Sequence, residues 1–332
     1  MRMRFRPVAF AASVLVAGLA VSAVASTASA SASNLAPVAA GVLTWSTPQA
    51  TGASYEFTSV SCPSATFCGA TDLYGQVLTF NGTSWSAPVT ITSPYNPEND
   101  MFGAVSCTSA TFCVAVDLYG GVSYYNGQTW TAPQAIQVSG ELGSVSCASP
   151  RFCVAVDSPG DSADDALIYN GTTWSTPVAI ETNGNGLDAV SCTSPAFCVA
   201  VDGSGRYVAY NGTAWSAPAL IDSGNYLTSV SCTSSRFCAA VDSAGNILGY
   251  NGKTWRRPVS IDGTNYLESV SCVGKKFCVS VDGDKQAIQT PGAKKGTVAV
   301  IDPGDSFLRS VSCASTTFCV AVDYGADYVV GR

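Results

Sequence analysis

An all-β, seven-bladed β-propeller of four-stranded antiparallel blades is the fold class that three observations predict. Cys-x5-Cys occurs at 62/68, 107/113, 147/153, 192/198, 232/238, 272/278 and 313/319, which uses all 14 cysteines. Successive first cysteines lie 45, 40, 45, 40, 40 and 41 residues apart, so one unit is repeated seven times. Within each unit, alternating β-formers are separated by turn residues, and helical periodicity is absent.

The chain begins with Arg2, Arg4 and Arg6, an apolar run from Val8 to Val24, and a Ser/Ala-rich stretch whose small-residue cleavage sites end at Ala30 or Ala32. Residues 1–32 therefore read as a Sec-type signal peptide, with a single-pass anchor as the competing reading. The arginines are never adjacent, which argues against the twin-arginine route, and no cysteine precedes Cys62 to accept a lipid. Residues 33–41 read as a flexible linker and 42–332 as the propeller. The expected product is secreted, extracellular and monomeric, with no membrane insertion after cleavage.

The fifth copy illustrates the four expected strands: Leu227–Cys232, Phe237–Asp242, Asn246–Asn251 and Thr254–Ile261. Between the third and fourth strands an Asn-Gly pair recurs at 81/82, 126/127, 170/171, 211/212 and 251/252, supplying residues that tolerate the positive φ of a tight hairpin. The last copy stops at Arg332 after three strands, whereas Leu43-Thr-Trp-Ser-Thr-Pro48 matches the fourth-strand phrase Ala214-Trp-Ser-Ala-Pro218. The N-terminal segment is thus expected to complete the final blade and leave no orphan edge.

Trp45, Trp85, Trp130, Trp174, Trp215 and Trp255 share one fourth-strand slot, and Phe80, Tyr125, Tyr169, Tyr210 and Tyr250 precede the Asn-Gly turns. Repetition in nearly every copy favours blade-to-blade packing over sugar stacking. Asp72, Asp117, Asp157, Asp202, Asp242, Asp282 and Asp323 close the second strands and read as turn formers. A five-residue loop between antiparallel strands can set its flanking cysteines opposite each other, within disulfide reach. Seven intrablade disulfides are therefore expected: Cys62–Cys68, Cys107–Cys113, Cys147–Cys153, Cys192–Cys198, Cys232–Cys238, Cys272–Cys278 and Cys313–Cys319. Metal binding is the competing reading, opposed by the absence of histidine and of C-x-x-C spacing.

Hydrophobic residues form 47% of the chain and charged residues 12%, which excludes a disordered solvating polymer. The absence of histidine removes Ser-His-Asp and Cys-His catalysis. Taking Arg2, Arg4 and Arg6 from the 16 basic residues leaves 13 against 23 acidic ones, a net charge of −10 that disfavours nucleic acid. No cofactor is implied.

Specific function is sought where one copy departs from the others. Three consecutive top-face loops carry a carboxylate, an amide or second carboxylate, and an aromatic: Asp222, Asn225 and Tyr226; Asp262, Asn265 and Tyr266; Asp302, Asp305 and Phe307. Such sets suit a saccharide, although a turn followed by a packing ring explains them too. Two residues before the first-strand valine the copies read Thr58, Gly103, Gly143, Asp188, Thr228, Glu268 and Arg309, bringing charge to the channel mouth in three copies. Asp188 and Glu268 are the best carboxylates for a histidine-free glycosidase, and a solvated charged rim is the plainer reading. The Asp157–Asp165 loop, with Asp161, Asp164 and Asp165, carries oxygen donors for Ca²⁺ without EF-hand spacing. On the opposite face Arg236, Lys253, Arg256, Arg257, Lys275, Lys276, Lys294 and Lys295 are expected to converge on one lower edge. That patch would dock an anionic cell-envelope polymer or an acidic secreted protein.

The phrase Ser-Val-Ser-Cys-x5-Cys-Val-Ala-Val-Asp, followed by Tyr-Asn-Gly-x-x-Trp-Ser-x-Pro, resembles the repeats of secreted actinobacterial β-propeller proteins of lectin-like or uncharacterised kind. The Trp-Asp dipeptide of WD40 repeats does not occur. The resemblance implies the architecture and a non-enzymatic module recognising glycan or cell-envelope material. A protein-docking subunit is the second expectation, and a carboxylate-based glycan hydrolase or lyase the third.

Overall fold

The computed structural model describes residues 41–53, 55–92, 101–136, 141–157, 164–181, 186–304 and 306–332. The expected leader, linker residues 33–40, Asp161 with most of its loop, and Asp305 lie outside them. Seven four-stranded antiparallel sheets are present, and consecutive innermost strands touch all the way round, the first meeting the last. Those strands are Phe57–Ser64, Phe102–Ser109, Leu142–Ser149, Leu187–Ser194, Leu227–Ser234, Leu267–Cys272 and Leu308–Ser315, heading blades one to seven. In blade seven, Gln49 and Ala50 pair with Tyr328 and Asp327, Trp45 bridges Gly331, and Thr44 and Arg332 exchange backbone hydrogen bonds. The N-terminal segment therefore closes the ring as its sequence predicts.

The outermost strands are shorter than expected. In blade five only Val259–Ser260 pair regularly, with Trp255 held by one isolated bridge to Tyr250. Proline is the physical reason: Pro258 lacks the N–H that would carry the ladder from Trp255 to Val259, and the other tryptophan-bearing copies have proline at the same place. Blade six has neither the tryptophan nor the proline, and its outermost strand runs unbroken over Thr297–Val300.

Every blade carries the disulfide expected of it. Cys62 is bonded to Cys68, Cys107 to Cys113, Cys147 to Cys153, Cys192 to Cys198, Cys232 to Cys238, Cys272 to Cys278 and Cys313 to Cys319, with Cα atoms 3.9–4.0 Å apart. The second cysteine of each pair is completely buried, so the bonds belong to the core and are shielded from solvent reductants. Seven such bonds place maturation in an oxidising compartment. No helix among the described residues is long and apolar enough to cross a membrane. The Asn-Gly glycines adopt φ of 94–97°, and a Cβ at Gly252 would stand 3.1 Å from the Arg236 Cα, so hairpin and cysteine loop pack together on the bottom face.

The core consists of seven clusters, each joining two neighbouring blades. Tryptophan lies at six of these interfaces. Trp255 meets Tyr207 of blade four edge-on, and Trp174 donates its indole N–H to the Tyr124 hydroxyl of blade two at 2.7 Å. The packing role read for these rings is the observed one.

The serine preceding each first cysteine has a role that periodicity does not reveal. Its Oγ accepts the backbone N–H of the first cysteine in the next blade: Ser61 from Cys107, Ser106 from Cys147, Ser146 from Cys192, Ser191 from Cys232, Ser231 from Cys272, Ser271 from Cys313, and Ser312 from Cys62. All seven distances fall at 2.9–3.0 Å. The series runs round the whole ring, including the seam between blades seven and one.

The seven second-strand aspartates are turn formers, each accepting backbone N–H groups on Oδ1, as Asp72 does from Tyr74 and Gln76. Burial pushes Asp72 up to about 6 and Asp157 up to about 7 against their N–H donors. In blades five to seven a second buried carboxyl lies against the turn aspartate: Asp222 beside Asp242, Asp262 beside Asp282, Asp302 beside Asp323. Burial first, and that neighbouring carboxyl second, raise Asp222 to about 6 and Asp282 to about 7. Asp323 also rises to about 7, mainly through burial. The outer oxygens of Asp222, Asp262 and Asp282 find no N–H or O–H donor.

Ser231→Ala leaves the Cys272 N–H without its acceptor and should lower the unfolding free energy by about 1–2 kcal/mol in guanidinium titrations of the oxidised protein. Asp72, Asp157, Asp222, Asp282 and Asp323 bind protons more tightly folded than unfolded, so their stabilising contribution is complete below about pH 4 and is lost as pH rises through about 6 to 7. Calorimetry should give a higher Tm near pH 5 than near pH 8; the reverse order would refute the upward shift of these buried carboxyls.

Candidate functional site

The channel mouth is built by a repeated irregularity. In every innermost strand the second residue is skipped by the pairing register, as between Leu187↔Asp202 and Ala189↔Val201. The seven skipped residues are Thr58, Gly103, Gly143, Asp188, Thr228, Glu268 and Arg309. A bulge re-aims its side chain, and all seven line one cavity of ≈ 400 Å³ at the top of the channel. Blades one to three contribute Thr, Gly and Gly, whereas blades four, six and seven contribute charge. Glycine is required at 103, where a Cβ would lie 2.5 Å from the Leu142 carbonyl oxygen of blade three.

The charged side of this mouth is coupled. Arg309 Nη1 donates to Glu268 Oε2 at 2.7 Å, and its guanidinium lies 5.6 Å from the centre of the Tyr324 ring. Burial raises the Glu268 pKa despite that arginine. Asp188 reaches the channel solvent yet is walled by protein; desolvation, then Asp202 and Asp164, push it up to about 7. Tyr266 completes the group, its hydroxyl raised by burial and by Glu268 and Asp188. The structure thus brings Asp188, Glu268, Arg309 and Tyr266 to one cavity.

The three proposed saccharide sets do not survive as units. Asp222, Asp262 and Asp302 are 4%, 8% and 2% exposed and point inward to the turn aspartates described above. Asn225 Nδ2 donates to Asp222 Oδ1, and the Asn265 N–H donates to the Asp262 carbonyl. The carboxylates are held by folding and cannot meet a sugar hydroxyl. Their aromatic members behave differently: Tyr226, Tyr266 and Phe307 are exposed, as are Tyr55, Tyr74 and Tyr119. These six are all the exposed aromatics among the described residues, and all lie in top-face loops or turns. Tyr55 and Tyr74 pack at 4.2 Å between ring centres. The first three were legible in the sequence as a sub-motif; Tyr74 and Tyr119 share the turn phrase Asp-Leu-Tyr-Gly of the first two copies, and Tyr55 stands alone.

Of the Ca²⁺ loop, Asp157 and Asp164 accept the N–H groups of Asp165 and Gly186. No set of three metal-ligating side chains occurs among the described residues. On the bottom face Arg236, Arg256, Lys275, Lys276 and Lys294 line one groove of ≈ 350 Å³ between blades five and six, with Phe237 and Tyr250. Lys253, Arg257 and Lys295 are exposed but do not line it.

No protein-family model and no curated protein matches the chain. In fold it is similar to the solved structure of YCF48 bound to D1 peptide, at 13% identity and TM-score 0.68, covering 86% of this chain and 96% of that one. It is similar likewise to YCF48 from Cyanidioschyzon merolae (11%, TM-score 0.66, 86% and 98% covered) and to the WD40 β-propeller domain of Doa1 (8%, TM-score 0.70, 88% and 96% covered). At these identities the likeness shows the fold: a complete seven-bladed propeller.

Proposed function

We propose that this chain is a non-enzymatic recognition module, exported into an oxidising space, whose top face captures an extended polypeptide segment. The observation that carries the reading is the mouth itself: seven bulge residues around one cavity, charge of both signs on one side, and exposed rings on the surrounding loops. Exposed aromatics and arginine are the residue types that dominate protein-contact energetics. The solved YCF48 structure with a bound D1 peptide is a propeller of the same architecture, which supports a peptide as ligand class. Glycan recognition keeps the rings but has lost the three carboxylates that would have read hydroxyl groups.

Screening the purified oxidised domain against a displayed peptide library and a glycan array tests this directly. Peptides should be enriched, and Tyr266→Ala or Phe307→Ala should weaken the best of them by about fivefold or more. Sugar binding without peptide enrichment would return the glycan reading, and release of a cleaved sugar product would point to the Asp188 and Glu268 carboxylates as a hydrolase pair. For a cationic peptide held at Asp188, affinity should fall as pH drops from about 8 to about 6, because the carboxylate is protonated across that range. Asp188→Asn should flatten that profile.

A further inference from the structure

The groove between blades five and six sits where the propeller's own packing rule is broken. At the other six interfaces a tryptophan joins the inter-blade cluster: Trp85, Trp130, Trp174, Trp215, Trp255 and, from the closing segment, Trp45. At the interface of blades five and six the corresponding hairpin supplies Ala293 instead, resting against Gly249. The third-strand ring is missing as well. Opposite the second cysteine, where blades one to five carry Phe80, Tyr125, Tyr169, Tyr210 and Tyr250, blade six carries Thr290 across from Cys278.

That loss strips Phe237 of its partner. At four interfaces the second-strand phenylalanine stacks on the third-strand ring of the next blade: Phe67 on Tyr125, Phe152 on Tyr210, Phe197 on Tyr250 and Phe318 on Phe80. Phe237 is the equivalent residue facing blade six, and that blade offers Thr290 in place of a ring. It lines the ≈ 350 Å³ groove instead. Around this half-built stacking site stand Arg236, Arg256, Lys275, Lys276 and Lys294, in a protein whose net charge is −7. The cysteine loop there is also rebuilt, with the turn Gly274–Lys276 raising two lysines beside the groove.

We infer that this groove docks an acidic peptide segment whose aromatic side chain stacks on Phe237 in the place that four other interfaces fill from the neighbouring blade. The occupant's ring is specified by the unstacked face of Phe237, and its acidic flanks by the five cations; an acidic polymer without rings would satisfy only the charge. The site is on the face opposite the channel mouth and does not depend on the function proposed there.

Calorimetric titration of the oxidised domain tests it with a peptide of one tryptophan flanked on each side by two glutamates, and with its alanine counterpart. The tryptophan peptide should bind at least about fivefold tighter than the alanine peptide, and more weakly as salt is raised. Lys275→Glu with Lys276→Glu should weaken it by about tenfold or more. Thr290→Tyr, which restores a ring facing Phe237, should abolish the tryptophan preference; Tyr266→Ala, at the channel mouth, should change nothing. Equal binding of the two peptides, or affinity indifferent to the lysine reversals, overturns the inference. So does a sulfated polysaccharide that displaces the peptide while Thr290→Tyr has no effect. Should Thr290→Tyr fail to fold, the paired peptides and the lysine reversals decide the matter alone.

Discussion

The hydrogen bond from each first cysteine N–H to a serine hydroxyl of the preceding blade is the constraint on which the ring depends. An innermost strand pairs with its own blade on one edge only, and among the described residues no ladder joins it to the neighbouring blade. A buried N–H left without an acceptor there would cost about 1–3 kcal/mol. The serine hydroxyl bridges the gap side chain to backbone, and the same cysteine is tied through sulfur to its own second strand. Each first cysteine is therefore the point where a blade is fastened both to itself and to its neighbour. Because Ser312 serves Cys62, the series has no first or last member.

This constraint explains why one phrase is repeated so faithfully, and why departures from it are informative. The Ser-Val-Ser-Cys run, the turn aspartate and the tryptophan are each spent on folding in nearly every blade. The bulge residue ahead of that run is fixed in position but free in identity, because its side chain faces the channel. Chemistry can vary there without disturbing the ring, and it does: glycine on one side, Asp188, Glu268 and Arg309 on the other. The groove of blade six is the converse case. There the packing residues themselves have been exchanged, and a seam that is filled elsewhere stays open.

Most of the architecture was legible because the repeat averages out local ambiguity. Fourteen cysteines at constant spacing, Asn-Gly turns and a displaced tryptophan phrase determine blade number, hairpins and closure together. The disulfide partners followed from the same spacing, since a short loop between paired strands leaves each first cysteine only one neighbour within reach. The outermost strands are shorter than alternation predicts, because alternation alone does not register the proline that interrupts six of the seven ladders. Site residues divided by how far their role depends on neighbours in space. Asp188, Glu268 and Arg309 were found as departures at one register position, and the bulge does bring them together. Asp222, Asp262 and Asp302 were read as outward-facing because a carboxylate in a loop is ordinarily solvated. Their neighbours, Asp242, Asp282 and Asp323, are twenty or more residues away, and a contact between two buried carboxyls leaves no mark in a one-dimensional pattern. Tyr74 and Tyr119 repeat within Asp-Leu-Tyr-Gly in two copies only, and it is the fold that gathers them with Tyr55 on the face of the other exposed rings.

The central claim, that the wheel is closed by an unbroken series of inter-blade serine bonds, is tested most directly by native-state amide exchange of the seven first cysteines. A closed ring predicts that the amides of Cys62, Cys107, Cys147, Cys192, Cys232, Cys272 and Cys313 exchange together, through global unfolding alone. Early exchange of Cys62, accompanied by Thr44 and Ser46 of the closing segment, would show a seam that opens by itself and would contradict the account.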